Sequence, residues 1–485
     1  AALTAPGAPF ELVDLTVGGQ GLRAYRHAFA TLPDLLAAAR SHGDKPFIVN
    51  DGRVWTFAEL FAQADALAGR LQADLGVQPG DRVAIAMRNR PEWAVAFVAA
   101  ALVGAVPAPL NSFGLADELS AALADVAPSV VLRDEERLAR LAGTPALGEA
   151  RAIVVGQGEG ALALESLVAP GGPARQAVAL SPDDPALILF TSGASSRAKG
   201  ALSTQRAVCQ ALFNIDFIGA FSAATSPAAL QRLMARGLLP TTLTAVPLFH
   251  VSGLHAQLLS ALRHGRRLVF MRRWQPAEAL SLIREHWVTQ FNGAPAMVMQ
   301  LLQEPGFDEA SATLGGMGFG GAGLPRRLID KVLARLPGSM SGIGYGMTES
   351  NGVGAAASGS VFEAQPAAAG LVSPIVELRI ADLDGKALPP GEAGEIWLRG
   401  VSLMREYWRQ PEATATALRG GWLHTGDIGF VDSAGLLQVV DRIKDVINRS
   451  GEKIAAAEVE SCLLQHPDVL EAAVFGVPDE ATGEA

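Results

Sequence analysis

Between residues 56 and 287, short apolar runs alternate with stretches of helical periodicity, and this alternation restricts the fold more than any other feature of the chain. "TFAELFAQADALAGRLQADLG" (56–76) repeats its apolar residues at helical spacing, with Gly76 as a C-terminal stop. A strand in "RVAIAMR" (82–88), a helix after Pro91, a strand in "AVPAPL", a helix near 116–126 and a strand in "SVVLRD" follow. After the polar loop "APGGPARQ" (169–176) the pattern resumes, with strands in "TLTAVPLF" and "RRLVFM" and a helix in "PAEALSLIREHW". Such alternation implies an α/β fold in which sheets are covered by helices. The uncharged run "WAVAFVAAALVGAVPAPL" (93–110) reads as a buried helix entering a strand, because Gly104, Pro107 and Pro109 break it before it can span a bilayer.

From about residue 374 the character changes. "IVELRIADLDGKALPPGEAGEIWLRG" is a series of short strands separated by Asp-Gly and Pro-Pro-Gly turns, which predicts an antiparallel ribbon or small barrel ending near 440. "DRIKDVINRSGEKI" (441–454) is dense in charge, as a domain junction often is, and a helix and then a strand are expected over 455–480. A chain of 485 residues exceeds one hydrophobic core. The expected division is residues 1–440, with the β-rich part at about 374–440, and residues 441–485 as the incomplete start of a small α+β unit.

The net charge of -10, with no lysine- or arginine-rich block, argues against a nucleic-acid partner. Cys209 and Cys462 are far apart and lack metal-ligand spacing, so neither a disulfide framework nor a zinc site is expected, and a reduced, cytoplasmic setting is. The N-terminus has no basic start followed by an apolar segment, so no signal peptide is expected. Monomer and homodimer both stay open.

"LFTSGASSRAKGA" (189–201) is the most suggestive loop. An apolar strand ends, Thr191, Ser192, Ser195 and Ser196 supply hydroxyls, Gly193 and Gly200 permit close approach of a ligand, and Lys199 adds a positive charge. Backbone N–H groups and hydroxyls in such a loop can cradle phosphate oxygens while the lysine offsets their charge. A Walker A loop is excluded: counted from Gly193, Ala198 stands where the second glycine belongs and Gly200 where Ser or Thr belongs. A plain polar turn stays open as the alternative.

Four further stretches follow in order: "PLFHVSG" (247–253), "GYGMTES" (344–350), "GWLHTGDIG" (421–429) and "DRIKDVINRSGEKI" (441–454). Together with the 189–201 loop, the series closely resembles the adenylate-forming superfamily of acyl- and aryl-CoA synthetases, peptide-synthetase adenylation domains and beetle luciferases. The resemblance runs from about residue 45 to the last residue. It implies a large N-terminal domain and a small C-terminal lid that rotates between two half-reactions. In the first, a carboxylate and ATP give an acyl-adenylate and pyrophosphate; in the second, the acyl group passes to a thiol.

The resemblance also implies roles. The 191–200 loop would hold the β- and γ-phosphates, with Lys199 among the catalytic groups, although Ala194, Ser195, Ser196 and Ala198 replace the Thr, Thr, Gly and Pro usual there. Tyr345 would stack on adenine, Thr348 would hydrogen-bond the phosphate that becomes AMP, and Glu349 would bind Mg2+, a hard cation that prefers carboxylate oxygen. Gly321 and Ala322 in "FGGAGLP" would line the adenine and acyl sites, and Asp427 and Arg442 would contact the ribose. His250, after Phe249, would lie near the carboxylate; Asp441 would be the hinge; and Gly451 would approach the pantetheine arm of CoA.

The family's adenylation lysine belongs after a further lid strand, and neither Lys444 nor Lys453 stands in that motif. The expectation is therefore that the natural protein is longer, and that these 485 residues bind nucleotide and acyl group but adenylate poorly. The expected activity is an AMP-forming acid–CoA ligase that uses ATP, Mg2+ and CoA. Small residues at 318, 320–323 and most of 352–359 either leave room for a long or bulky apolar acid or only set backbone turns, and a medium- or long-chain fatty acid is the favoured substrate. An aryl acid, a carrier-protein thiol as acceptor, or a catalytically inactive acyl or nucleotide sensor are the alternatives.

Overall fold

The helix Phe57–Ala73 begins where the sequence can cap it: Glu59 N–H donates to Thr56 Oγ1 at 3.1 Å, and Thr56 N–H donates to the Glu59 carboxylate at 2.8 Å. It ends at Asp74, whose carboxylate pairs with Arg70 at 2.8 Å; Gly76 takes its left-handed conformation (φ 67°) in the turn just beyond. The computed structural model describes residues 2–142, 148, 150–191, 197–320, 326–382, 384–449, 452–464, 466, 469, 472–479 and 482–485.

Two sheets form the body of the molecule. One is all parallel, in the order Val106–Pro109, Arg82–Ala86, Val130–Asp134, Arg151–Val155, Leu162–Ala163. The other has nine strands, in the order Leu371–Val372, Ala355–Ser358, Gly342–Tyr345, Gly316–Gly320, Gln290–Gly293, Thr241–Thr244, Arg267–Phe270, Pro46–Asn50, Arg53–Thr56. Its six central strands are parallel and its edges antiparallel. Helices Leu32–Ala39, Phe57–Ala73 and Pro91–Leu102 lie in one apolar core with residues of both sheets, which is why Pro91–Leu102 is apolar all round and buried along nearly its whole length. The expected α/β architecture is therefore present, and the 93–110 run is a buried helix and strand.

One helix, Gln205–Thr225, is long and apolar enough to cross a membrane by length and composition. It packs here against the hairpin Leu12–Val17/Gln20–Tyr25 and the strand Gly200–Thr204, with the Tyr25 hydroxyl donating to Asn214 Oδ1 at 2.8 Å.

The β-rich region is an antiparallel sheet of Val376–Ala381, Gly394–Gly400, Trp422–Val431 and Leu418–Arg419, with Leu437–Arg442 paired to the long central strand. Its last strand ends at Arg442, close to the expected limit. Beyond it the structure departs from the sequence reading. The charged segment forms a hairpin, Ile447–Arg449 with Glu452–Ile454, and the helix Ala456–Leu463 follows. The strand expected in the apolar run before 480 is confined to Pro478–Asp479, which pairs with Gly483–Glu484; residues 472–477 are not in a strand. A strand needs a hydrogen-bonding neighbour and a surface to cover, and Phe475 is 73% exposed.

Candidate active site

Pro185–Phe190 and Gly200–Thr204 form an antiparallel pair, with Thr191 directly after the first strand and Lys199 directly before the second. Thr191 and Lys199 close the base of the 191–199 loop: Thr191 N–H donates to the Lys199 carbonyl at 2.9 Å, and Lys199 N–H to Thr191 Oγ1 at 3.2 Å. Ser192, Gly193, Ser195 and Ser196 lie outside the described residues, as do Gly321, Ala322 and Gly451. Beside the base runs a short third strand, Glu406–Tyr407, which pairs with Gly200–Thr204. The Lys199 ammonium sits 4.9 Å from the centre of the Tyr407 ring, within cation–π range.

The Tyr407 hydroxyl donates to Glu349 Oε1 at 2.5 Å. Glu349 and Thr348 occupy a tight 3-10 turn, Thr348–Ser350, that follows the strand Gly342–Tyr345. Asn351 ends the turn in the left-handed conformation (φ 54°) and anchors it. Its Nδ2 donates to Ser203 Oγ and to the Ser402 carbonyl, both at 2.9 Å, and its Oδ1 lies 3.1 Å from His255 Nε2. Four chain segments thus meet at one buried side chain. Sequence reasoning singles out neither Tyr407 nor Asn351; "REYW" carries two adjacent aromatics, but the tyrosine's partner is 58 residues away.

Tyr345, Asp427 and Arg442 converge. The Tyr345 hydroxyl donates to Asp427 Oδ2 at 2.9 Å, and Arg442 Nε lies 3.3 Å from Oδ1. Asp427 and Arg442 are cross-strand partners in the antiparallel sheet, which fixes their pairing. Burial raises the Asp427 carboxyl above its ordinary value; the Tyr345 hydroxyl and Arg442 pull it down, and the negative charge of Glu349 pushes it up. Burial raises the Tyr345 hydroxyl, which therefore stays protonated and remains a donor.

His250 precedes the one-turn helix Val251–Gly253, with its ring 4.4 Å from that of Phe249, which in turn meets Phe113 edge-on at 6.0 Å. Burial lowers its basicity, so the imidazole is neutral at pH 7. Val251 abuts Gly352, where a Cβ would come within 3.2 Å of it, so the His250 turn packs against the loop carrying Thr348 and Glu349. Asp441 stands apart from these groups. It lies in the strand bearing Arg442, and its carboxylate accepts from Ala457 N–H at 3.3 Å, in the first turn of the helix Ala456–Leu463.

Tyr345 ends one parallel strand of the large sheet, Thr348 and Glu349 follow it, and His250 lies beyond the end of another, Thr241–Thr244; ligands of open α/β sheets bind at such carboxyl ends. Gly320 and Gly344 face each other across neighbouring strands. Among the described residues outside the chain neighbours, a Cβ at Gly344 would meet nothing within 4 Å, and one at Gly320 would meet the Gly344 carbonyl at 3.8 Å, so the described part of the sheet is flat there.

One test of a divalent cation is chemical. Among the described residues no group of three or more His, Cys, Asp or Glu could hold a metal ion. A single carboxylate such as Glu349 fits Mg2+ when substrate phosphates complete the shell, since Mg2+ is commonly held by one or two carboxylates and phosphate oxygens.

Comparison with known proteins agrees with this geometry. The AMP-binding enzyme family matches residues 35–408, and the AMP-binding enzyme C-terminal domain matches residues 458–485. A feruloyl-CoA synthase from Amycolatopsis sp is 36% identical over 435 residues, covering 89% of this chain and 82% of the relative. A 4-coumarate–CoA ligase from Oryza sativa subsp. japonica is 33% identical over 479 residues, covering 94% and 80%. The solved structure of o-succinylbenzoate CoA synthetase from Bacillus subtilis, in complex with its acyl-adenylate intermediate, superposes with a TM-score of 0.76 at 28% identity, covering 93% of this chain and 87% of that one. With a family match over most of its length and acid–CoA ligases above 30% identity among its relatives, the chain belongs to the AMP-binding enzyme family.

Proposed function

We propose that the protein is an AMP-forming acid–CoA ligase acting on an aryl acid. The observation that supports the ligase reading is that Lys199 and Glu349 meet at the Tyr407 side chain while Tyr345, in the strand leading to Glu349, meets Asp427 and Arg442 pairs with Asp427. ATP fits this arrangement. Tyr345 offers a ring to adenine, and Asp427, with about four lone-pair positions, can accept ribose hydroxyls while keeping its bond from Tyr345. Lys199 and the Thr348 hydroxyl neutralise and orient phosphate oxygens. Glu349 would hold Mg2+, which supplies charge neutralisation on the phosphates.

In the adenylation step a carboxylate oxygen attacks the α-phosphorus, a P–O bond forms, and the bond to pyrophosphate breaks. In the thioester step the CoA sulfur, as thiolate, attacks the acyl carbon and AMP leaves. His250, beside Phe249, would receive the acyl end. Most of the rate enhancement comes from alignment and charge neutralisation.

The flat floor at Gly320 and Gly344 supports a planar acid, because a ring can lie against backbone where no Cβ intrudes. The feruloyl and 4-coumarate relatives point the same way. The same floor admits a medium- or long-chain fatty acid, the second reading. Specificity constants of the full-length protein for arylpropenoic acids and for C8–C16 fatty acids, each with ATP, Mg2+ and CoA, decide between them. A preference for aryl acids of tenfold or more is expected; a chain-length optimum among the fatty acids would overturn the aryl assignment.

A further inference from the structure

We propose that Tyr407 is a positioning residue that presents Glu349 to a divalent cation and holds Lys199 apart from it. This rests on the ligase reading above and names a residue outside the motifs that led to it.

The segment around Tyr407 is stitched to both halves of the phosphate site. Trp408 N–H donates to the Gly200 carbonyl at 2.7 Å and Arg405 N–H to the Leu202 carbonyl at 2.8 Å, beside the loop that ends at Lys199. Met404 N–H donates to the Glu349 carbonyl at 2.7 Å. Tyr407 N–H itself donates to Thr414 Oγ1 at 2.9 Å, so the backbone bearing the ring is fixed from several sides. The residue is 6% exposed.

From that anchored position the side chain does two separable things. Its hydroxyl donates to Glu349 Oε1 at 2.5 Å, and its face lies 4.9 Å from Lys199 Nζ. A donor on Oε1 fixes the carboxylate rotamer and leaves Oε2 for a cation. With the ammonium against the ring and the carboxylate on the hydroxyl, each charge has a partner other than the opposite charge. A Glu349–Lys199 ion pair would cancel the two charges that the metal and the phosphates each need.

The roles separate by substitution. Tyr407→Phe removes the hydrogen bond and keeps the ring; Tyr407→Leu removes both. The test is calorimetric titration of full-length wild type, both variants and Glu349→Gln with ATP plus Mn2+, standing for Mg2+, and with ATP in EDTA. Tyr407→Phe is expected to weaken Mn2+-dependent ATP binding about tenfold, as for loss of a hydrogen bond to a charged group. Metal-free ATP binding should change less than about twofold, the charge at Lys199 being untouched. Tyr407→Leu should also weaken metal-free binding. Mn2+-dependent binding equal to wild type in Tyr407→Phe, equal loss with and without metal, or no effect of Glu349→Gln would each overturn the proposal. Pyrophosphate release by the wild type, measured in parallel, tests the ligase reading separately: its absence would sink that reading while the titrations still decide the role of Tyr407.

Discussion

The Tyr345 hydroxyl donates to Asp427 Oδ2 at 2.9 Å, joining the end of a strand in the large mixed sheet to the central strand of the β-rich sheet across 82 residues of sequence. Arg442 holds the other oxygen, so the carboxylate is oriented before any nucleotide arrives. Asp427→Ala should raise the ATP KM roughly ten- to a hundredfold with a smaller effect on kcat, since hydrogen bonds to a charged group are worth about 1.5–3 kcal/mol. Tyr345→Phe, which keeps the ring, should cost less than about tenfold on the same measure. An unaltered ATP KM in Asp427→Ala would remove this carboxylate from the ribose site.

Asn351 should matter more to stability than to any single binding step. Its truncation leaves the Ser203 hydroxyl, the Ser402 carbonyl and His255 without their partner in a buried site. Asn351→Ala should lower the unfolding free energy by about 2–4 kcal/mol, measured by denaturant titration. Retention of stability within about 0.5 kcal/mol would mean that the junction is not a keystone.

Acid should destabilise the fold through His255. Burial depresses its pKa from 6.5 to about 4, against a smaller opposing pull from Asn351. The unfolded chain therefore takes up this proton before the native state does. The stability due to the neutral imidazole is fully present above 6.5 and is lost as pH falls through that window to about 4. Each histidine of this kind gives a slope of at most about 1.4 kcal/mol per pH unit. His250, also depressed by burial, acts with the same sign. Melts between pH 7.5 and 4.5 should show the decline, and His255→Gln should flatten it; an unchanged slope in that variant would assign the acid sensitivity to other groups.

The sequence is legible where chemistry is local. Caps such as Thr56–Glu59, the turns at Gly385 and Gly391, the alternating elements and the spacing of the five motifs are all written within a few residues. What escapes notice depends on proximity created by folding. Tyr407 meets Glu349 and Lys199 only because a two-residue strand adds to the strand that follows Lys199. Asn351 becomes a hub only because Ser203, His255 and Ser402 arrive from separate elements. The run before 480 shows the opposite error: apolar residues look like a strand in isolation, yet among the described residues of the run the strand is Pro478–Asp479, paired with Gly483–Glu484.

The Asp441 carboxylate links the strand bearing Arg442 to the first turn of Ala456–Leu463. We propose this residue as the point about which the C-terminal unit turns between half-reactions. Asp441→Pro fixes φ near -65° and removes a backbone donor. It should spare pyrophosphate release within about threefold and lower CoA thioester formation by tenfold or more, about 1.4 kcal/mol of barrier. Equal loss of both would place Asp441 in the structure rather than in the motion.

The flat floor beside Gly344 gives a further handle. Gly344→Leu places a side chain where, among the described residues outside the chain neighbours, nothing lies within 4 Å. It should exclude planar or long acids while leaving ATP binding within about threefold; the loss is steric, and a pocket discriminates each added methylene by roughly 1–3 kcal/mol. Unchanged turnover on the preferred acid would show that the acid lies elsewhere.

The most direct measurement is AMP and pyrophosphate production by the full-length protein across a panel of aryl and fatty acids, with and without CoA. An acid–CoA ligase predicts release of both products that depends on one class of acid and on Mg2+, with turnover stimulated by CoA and matched by acyl-CoA formed. Pyrophosphate release that CoA does not accelerate, or ADP in place of AMP, would contradict it.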